Sequence, residues 1–133
     1  MTRLIAEAAL IQGVGTPVQE IIGRLNTGTD EVSIAKMHSR KGWSQPGQTR
    51  QFNEYILVLK GALRVKTRRK EFVARTGQAI VVPAGEWVEY SAPEAGGARY
   101  LAICVPAYSP GLVRKRGQSA SGRNRTSRLG PRG

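Results

Sequence analysis

The 133-residue sequence contains one cysteine, one histidine and no long apolar run. Since a disulfide needs two thiols, the single Cys104 excludes an intrachain crosslink, and the chain is unlike a disulfide-stabilised secreted domain. Its broken apolar stretch at residues 3–12 does not match a signal peptide. Nowhere do about 18 apolar residues follow one another, so no membrane-spanning segment is predicted. We therefore expect a cytoplasmic protein.

Because histidine is so scarce, the range of catalytic chemistry is narrow. The only histidine, His38, is accompanied by no Ser/His/Asp arrangement, and the chain has no Gly-rich phosphate-binding loop. Strand alternation puts His38 on the same face as Ile34 and Lys36, which leaves its position relative to a cavity open. It is a candidate general base. As a metal ligand it would have only Glu54 and Cys104 as partners, a poor set.

Acidic residues are also few, with nine against twenty-one basic residues and a net charge of +12. Seven of these positive charges lie in residues 114–133, which contain no acid, so the first 113 residues carry only +5. This segment has one large apolar side chain, Leu129, and is predicted to be a disordered basic tail. It is either a solvated tail or an arm that binds nucleic acid or an acidic partner.

Sixteen glycines and seven prolines predict many turns, and therefore an all-β domain. The length suits one core, with an N-terminal arm at 1–17, a domain at 18–113 and the tail at 114–133. Residues 3–12 form either a short helix or an arm that pairs with another subunit. Apolar, β-branched runs between turn residues predict strands at 19–24, 33–39, 53–59, 62–67, 70–74, 78–82, 87–91 and 99–105.

Two turn signals predict hairpins. Lys60-Gly61 separates two apolar runs, and Gly61 supplies the positive φ of a tight connection, which would pair strands 53–59 and 62–67. Pro83-Ala84-Gly85 lies between the runs 78–82 and 87–91 and favours a second reversal.

Two stretches resemble the motifs of the cupin superfamily. In the first, G(X)5HXH(X)3–4E(X)6G, Gly42, Glu54 and Gly61 fall in register, with Gln48 and Arg50 at the histidine positions. The second motif is G(X)5PXG(X)2H(X)3N, and its frame matches at three positions. The matching residues are Gly77, Pro83 and Gly85, whereas Val88 replaces the histidine and Ala92 the asparagine.

The resemblance covers roughly residues 18–113 and is closest to small single-domain bacterial cupins. It implies a cupin jelly-roll β-barrel of two antiparallel sheets around a small-molecule cavity, commonly dimeric. Ordinary members bind a divalent metal through three histidines and one glutamate. In this chain only Glu54 remains of that set.

The replaced positions argue against a metal cofactor. A guanidinium has no lone pair and would repel a cation, and Val88 cannot ligate. We therefore expect no cofactor, or at most a weakly bound divalent metal. Arg50 and Glu54 either form an ion pair across the cavity mouth, leaving Arg50 available to a carboxylate, phosphate or carbonyl, or they point into solvent or only support the barrel.

Period-two alternation adds further candidates. Tyr90 shares the inward face of Val88 and is a potential hydrogen-bond donor. Tyr100 shares a face with Cys104, which is expected to be an inert buried thiol. Trp43 lies at the expected cavity rim. Since both faces of strand 99–105 are apolar, one is expected to face the cavity and the other a second subunit, giving a homodimer.

Three functions are compatible with this pattern. In the first, the barrel binds a small polar or anionic organic molecule through Gln48, Arg50, Glu54, Tyr90, Tyr100 and Trp43. In the second, the protein is an isomerase, epimerase or lyase with Glu54 or His38 as base and Tyr90 as acid. In the third, a dimeric scaffold presents a basic tail to nucleic acid or an acidic partner.

Overall fold

The computed structural model describes residues 2–11 and 18–115. Within these residues the chain is almost entirely β-structure, as predicted, with a short 3-10 turn at Pro110–Leu112. The eleven strands are β1 (Ala9–Ile11), β2 (Val18–Ile22), β3 (Ser33–Ser39), β4 (Trp43–Ser44), β5 (Gln48–Arg50), β6 (Asn53–Thr67), β7 (Glu71–Arg75), β8 (Ala79–Val82), β9 (Trp87–Ala92), β10 (Ala98–Val105) and β11 (Val113–Lys115).

The strands form two antiparallel sheets that share β6. The first sheet runs β1-β2-β3-β10-β6-β8 and the second runs β7-β6-β9-β5-β11, with β4 also paired to β9. Because one strand continues from sheet to sheet, the two sheets are joined into a curled barrel. Side chains on the inner faces of both sheets therefore point toward each other.

The predicted hairpin at Gly61 is wrong. Residues 53–67 form one continuous strand whose first half pairs with β8 and β10 and whose second half pairs with β7 and β9. Gly61 has a φ of +89° at the point where the strand changes sheets. A register shift opposite Arg99 and Tyr100 leaves Leu59 as an extra residue. The positive φ thus serves a bulge that bends the strand rather than a reversal.

The turn at residues 83–85 is present, but the predicted pairing across it is wrong. Gly85 has a φ of +90°, and the Glu86 amide donates to the Pro83 carbonyl at 3.3 Å. The flanking strands then separate. β8 pairs with β6 in the first sheet, whereas β9 pairs with β4, β5 and β6 in the second. The turn therefore connects two sheets, which adjacency in sequence cannot reveal.

Both chain ends extend the sheets further than the sequence indicated. Ala9–Ile11 is a strand paired with β2 of the same chain, not a helix. Residues 113–115 pair with β5, so the tail predicted to start at 114 begins with two residues of strand. Residues 116–133 lie outside the described part of the chain. In the described part, no helix is long and apolar enough to cross a membrane.

The core lies between the two inner faces. Its buried side chains come from both sheets and comprise Ile56, Val58, Leu63, Val65, Ala74, Ile80, Val82, Val88, Tyr90, Ala98, Tyr100 and Ala102. Their alternation along each strand leaves Tyr55, Leu57 and Leu59 on the opposite face of β6, each about 40% exposed. The core adjoins an open space near Ile56, Tyr90 and Tyr100, which contribute to both.

Candidate functional site: a polar cluster in the barrel cavity

The barrel encloses a cavity of about 540 Å³, within the size range of small-molecule sites. Strand register creates its walls, because Ser33, Cys104 and Glu54 lie side by side on β3, β10 and β6. The next inward row is Ala35 and Ala102 on the same strands, followed by Ile56 on β6. A polar row therefore lies beside an apolar one.

The short strand β5 brings the predicted amide and guanidinium to this cavity. Gln48 and Arg50 point inward and are buried, with Thr49 between them pointing the other way. The strand is fixed on both sides, since Gln48 pairs with Val88 of β9 and Arg50 pairs with Val113 of β11.

Arg50 is the centre of the cluster. Its Nη2 donates to Gln48 Oε1 at 2.9 Å and to Gln45 Oε1 at 3.2 Å. Its Nη1 lies 3.6 Å from Glu54 Oε1, and its guanidinium carbon lies 5.2 Å from the centre of the Tyr90 ring. Of the arrangements predicted for Arg50 and Glu54, the structure therefore contains the ion pair. Among the described residues, however, Nη1 has no hydrogen-bond partner although it is buried.

Glu54 also contacts Tyr90 and Cys104. The Tyr90 hydroxyl donates to Glu54 Oε1 at 2.7 Å, and the Cys104 thiol lies 4.0 Å from Oε2. Burial, together with the Glu54 carboxylate, raises the pKa of Tyr90 well above its usual value. The same two causes raise the pKa of Cys104. Both groups therefore stay protonated near neutral pH, Tyr90 as a donor and Cys104 as an unreactive thiol.

Tyr100 and Trp43 also line the cavity. The Tyr100 hydroxyl is 3.0 Å from Ser39 Oγ, and burial raises the pKa of Tyr100 to about 12. Trp43 on β4 is partly buried and packs against the core. These two aromatic groups border the space without contributing a charge.

His38 is the candidate that the structure does not bring to the cavity. It pairs with Arg99 on β10, and the inward neighbours Ala35 and Met37 place His38 on the outer face of the first sheet. Partial burial and the guanidinium groups of Arg99 and Arg40 lower its pKa. His38 therefore does not line the cavity that contains Glu54 and Tyr90, and the prediction that it acts there as a base is wrong.

Sequence reasoning missed several cavity residues, among them Gln45, Glu20 and Tyr108. Gln45 lies in the loop before β5, where no periodicity marks an inward side chain, yet it accepts from Arg50. Glu20 could have been found from its parity with Val18. It is buried and its Oε1 accepts from the amides of Leu25 and Asn26, so it caps the loop after β2. Tyr108 follows the last long strand and carried no signal.

The donor set does not suit the metal that the cupin resemblance implies. Arg50 places a permanent positive charge 3.6 Å from Glu54, the only remaining carboxylate of the set. Val88 is buried in the core at the third histidine position. Within residues 2–11 and 18–115, no three His, Cys, Asp or Glu side chains are grouped as a metal site would require. Since a guanidinium cannot ligate a metal ion, the residues at these positions do not fit the metal of ordinary cupins.

Sequence comparison agrees with this architecture. The profile of the family described as "Cupin domain" matches residues 36–104, which span β3 to β10 and include every ligand position of the motifs. The chain belongs to the cupin family.

A curated relative, named Endoribonuclease YbeY, from Myxococcus xanthus, is 34% identical over 99 residues. The match covers 74% of this chain but 34% of that protein. The chain thus spans about a third of the length of the relative it matches.

Solved structures share the fold at low sequence identity. The polyketide cyclase RemF from Streptomyces resistomycificus has a TM-score of 0.69 at 19% identity, covering 90% of this chain and 88% of that chain. A putative ethanolamine utilization protein EutQ from Salmonella typhimurium has a TM-score of 0.58 at 20% identity, covering 70% and 71%. Oxalate decarboxylase from Bacillus subtilis has a TM-score of 0.68 at 16% identity, covering 84% and 31%. These similarities concern the fold alone.

Proposed function

We propose that the barrel binds a small polar or anionic organic molecule through Arg50, without a bound metal. The observation that carries this proposal is the buried Arg50 Nη1 atom, which lacks a hydrogen-bond partner among the described residues and belongs to a cavity-lining side chain. A buried donor without a hydrogen bond costs about 1–3 kcal/mol, and the 3.6 Å ion-pair distance to Glu54 is too long to supply that bond. A ligand oxygen that accepts from Nη1 would remove this cost.

Arg50 is well placed to orient such an oxygen. Gln48 and Gln45 hold Nη2, and the Tyr90 ring lies against the guanidinium, so the side chain has little freedom left to lose on binding. Glu54 balances the charge of Arg50. The ligand group is therefore either a neutral carbonyl or a carboxylate, and Glu54 can accept from a ligand hydroxyl beside it.

The test is a thermal-shift screen of organic acids, ketones and sugar derivatives on the wild-type protein and on Arg50→Ala and Glu54→Gln. We expect a ligand that raises the unfolding midpoint of the wild type, because binding to the folded state alone stabilises it. The rise should be absent in Arg50→Ala and reduced in Glu54→Gln. Arg69→Ala, at an exposed arginine outside the cavity, is the matched control. If Arg50→Ala kept the full shift, the proposed site would be wrong.

A catalytic role is the second candidate, favoured by the 2.7 Å hydrogen bond between Tyr90 and Glu54. A carboxylate base beside a protonated phenol can remove a proton from one carbon or oxygen and return one to another, as an isomerase, epimerase or lyase does. The similarity to RemF, whose name is polyketide cyclase, is compatible with such chemistry on this fold. Turnover of a screening hit, lost in Glu54→Gln and Tyr90→Phe, would establish it.

We also propose that the basic tail contacts RNA. Residues 114–133 carry seven basic groups and no acid, and the curated relative is named an endoribonuclease. Removing residues 116–133 should lower the affinity for single-stranded RNA and flatten its dependence on salt, because each lost phosphate contact removes a counterion-release contribution. Equal affinity and salt slope in the full chain and the truncated chain would exclude this role.

A further inference from the structure

Most polar groups of the cavity lie around Arg50, and several of them are already hydrogen-bonded to one another. Gln48 and Gln45 accept from Arg50, and Glu54 accepts from Tyr90. Ser33 Oγ accepts from the Tyr108 amide at 2.9 Å. The other buried side-chain atom without a partner in the described chain is Trp87 Nε1, which does not belong to a cavity-lining residue. Among the described residues, Arg50 Nη1 is thus the one buried donor at the cavity that makes no hydrogen bond, since its ion-pair distance to Glu54 Oε1 is 3.6 Å.

The wall beside this polar row is mostly apolar. Its polar exception is Glu20, which pairs with Ala35 and whose Oε1 accepts from the amides of Leu25 and Asn26. Ala35, Ala102 and Ile56 are neighbours across β3, β10 and β6, and Met37 and Trp43 continue this surface. The two alanines are important because their short side chains leave the space in front of them empty. Ala35 is only half-buried, since it borders this space.

From this division we infer that the ligand is an aromatic or alicyclic carboxylic acid or ketone, with one oxygen on Arg50 and an apolar ring on the Ala35/Ala102 wall, rather than a sugar. This inference rests on the proposed function. A sugar would bring several hydroxyl groups against carbon atoms. Each hydroxyl buried without a partner lowers affinity by roughly 5- to 150-fold, so the apolar wall discriminates against sugars that carry the same carboxylate.

The experiment compares two probes that share a carboxylate and differ in the rest of the molecule, 2-naphthoate and D-glucuronate. Dissociation constants are measured by calorimetry on the wild type, Arg50→Ala, Ala102→Leu and Ala35→Leu. We expect naphthoate to bind the wild type at least about tenfold more tightly than glucuronate. Either leucine should abolish naphthoate binding by filling the ring position, and Arg50→Ala should weaken it strongly.

Two leucine variants are used so that the test does not depend on the folding of one of them. Ala35 and Ala102 lie on different strands, and a leucine at either position would extend into the cavity. Urea unfolding identifies a leucine variant that has lost its fold, and naphthoate binding is then judged on the leucine variant that remains folded. Glucuronate binding that equals or exceeds naphthoate binding and depends on Arg50 would overturn the inference while leaving the proposed function intact. Naphthoate binding that persists in a folded leucine variant would overturn it too. Absence of binding by both probes would also overturn it, whereas the proposed function is judged on the wider screen.

Discussion

At the scale of single residues, Arg50 and Glu54 form a buried ion pair. Both are buried, and their charged groups lie 3.6 Å apart. Removing charges from water is costly, so such a pair does little for stability by itself. Removing only one partner is different, because it leaves a buried charge without compensation.

This asymmetry gives a stability prediction. Arg50→Met should destabilise the protein by about 3–5 kcal/mol, since Glu54 keeps its burial and loses its counter-charge. The double variant Arg50→Met/Glu54→Gln should recover most of that loss. The measurement is the free energy of unfolding in urea for the wild type, both single variants and the double variant. If the loss of unfolding free energy in the double variant equals the sum of the losses in the two single variants, the two side chains do not interact.

The buried tyrosines give a pH prediction. The pKa of Tyr100 is raised from 10.0 to about 12 in the folded protein. Between these values the unfolded chain loses its proton and the folded chain keeps it, so stability is complete below about pH 10 and falls as the pH rises toward 12. Burial and Glu54 raise the pKa of Tyr90 in the same direction.

We expect the free energy of unfolding to be at least about 1 kcal/mol smaller at about pH 11 than at about pH 9. Tyr100→Phe should show a smaller fall, since phenylalanine does not titrate. The measurement is urea unfolding of both proteins at the two pH values. If the free energy of unfolding fell equally in the wild type and in Tyr100→Phe, Tyr100 would not be the source of the pH dependence.

Much of the residue-scale pattern was readable in the sequence. Motif spacing singled out Gln48, Arg50 and Glu54, and parity with Val88 predicted that Tyr90 faces the cavity. The two apolar faces of strand 99–105 left the direction of Tyr100 open. His38 was ambiguous because parity says which residues share a face, not which face is inner. Gln45 could not be predicted as a cavity residue because it lies in a loop, where side-chain directions follow no regular period.

At the scale of elements, the sequence predicted seven of the eleven strands described, but not the short strands β1, β4, β5 and β11, and not how the strands join. Each predicted strand segment lies largely within an observed strand with small shifts, and Ser33–Ser39 has the predicted bounds. Both hairpins were wrong, but in different ways: at Gly85 the turn is present and its flanking strands lie in different sheets, whereas at Gly61 the strand continues through a bulge. A glycine with positive φ suits either a reversal or a bulge, and the choice depends on which distant strands pair with each side.

Substitution of Gly61 tests whether the bend of β6 requires a glycine at this position. A Cβ added there would lie 2.2 Å from the Gly97 carbonyl oxygen, in addition to the strain of φ +89°. Gly77 has a similar φ of +85° with nothing within 4 Å, so it is the matched control. Gly77→Ala should cost about 1–2 kcal/mol from backbone strain. Gly61→Ala should cost at least about 2 kcal/mol more, because backbone must move.

Chemical denaturation of the two glycine variants measures both costs. Equal losses would show that β6 bends without needing the close approach of Gly97.

At the scale of the whole molecule, the outer face of the first sheet carries an apolar patch. Ile34, Ile103, Tyr55 and Val81 form one row across β3, β10, β6 and β8. Leu101 and Leu57 lie in the next row. Val81 is 66% exposed. Contiguous apolar patches of this kind mark interaction sites, and we propose a second copy of the chain as the occupant, because an isologous pair buries both faces at once.

The prediction is a dimer with twice the 14.4 kDa chain mass that Val81→Glu converts to a monomer. A charge on each side of the interface would lie opposite its equivalent or lose its hydration. Leu25→Glu is the control, because Leu25 is 69% exposed in the turn after β2, away from these rows. Analytical ultracentrifugation gives the masses. A monomeric wild type, or a dimeric Val81→Glu variant, would assign the face to another partner.

The central claim is that Arg50 replaces the metal as the group that holds a ligand. It is tested most directly by the ligand-induced rise in unfolding temperature, measured with the best-binding acid or ketone from the screen, with and without a metal chelator, on the wild type and Arg50→Ala. The account predicts that the rise survives the chelator and disappears in Arg50→Ala. A rise that the chelator abolishes, or that Arg50→Ala retains, would contradict it.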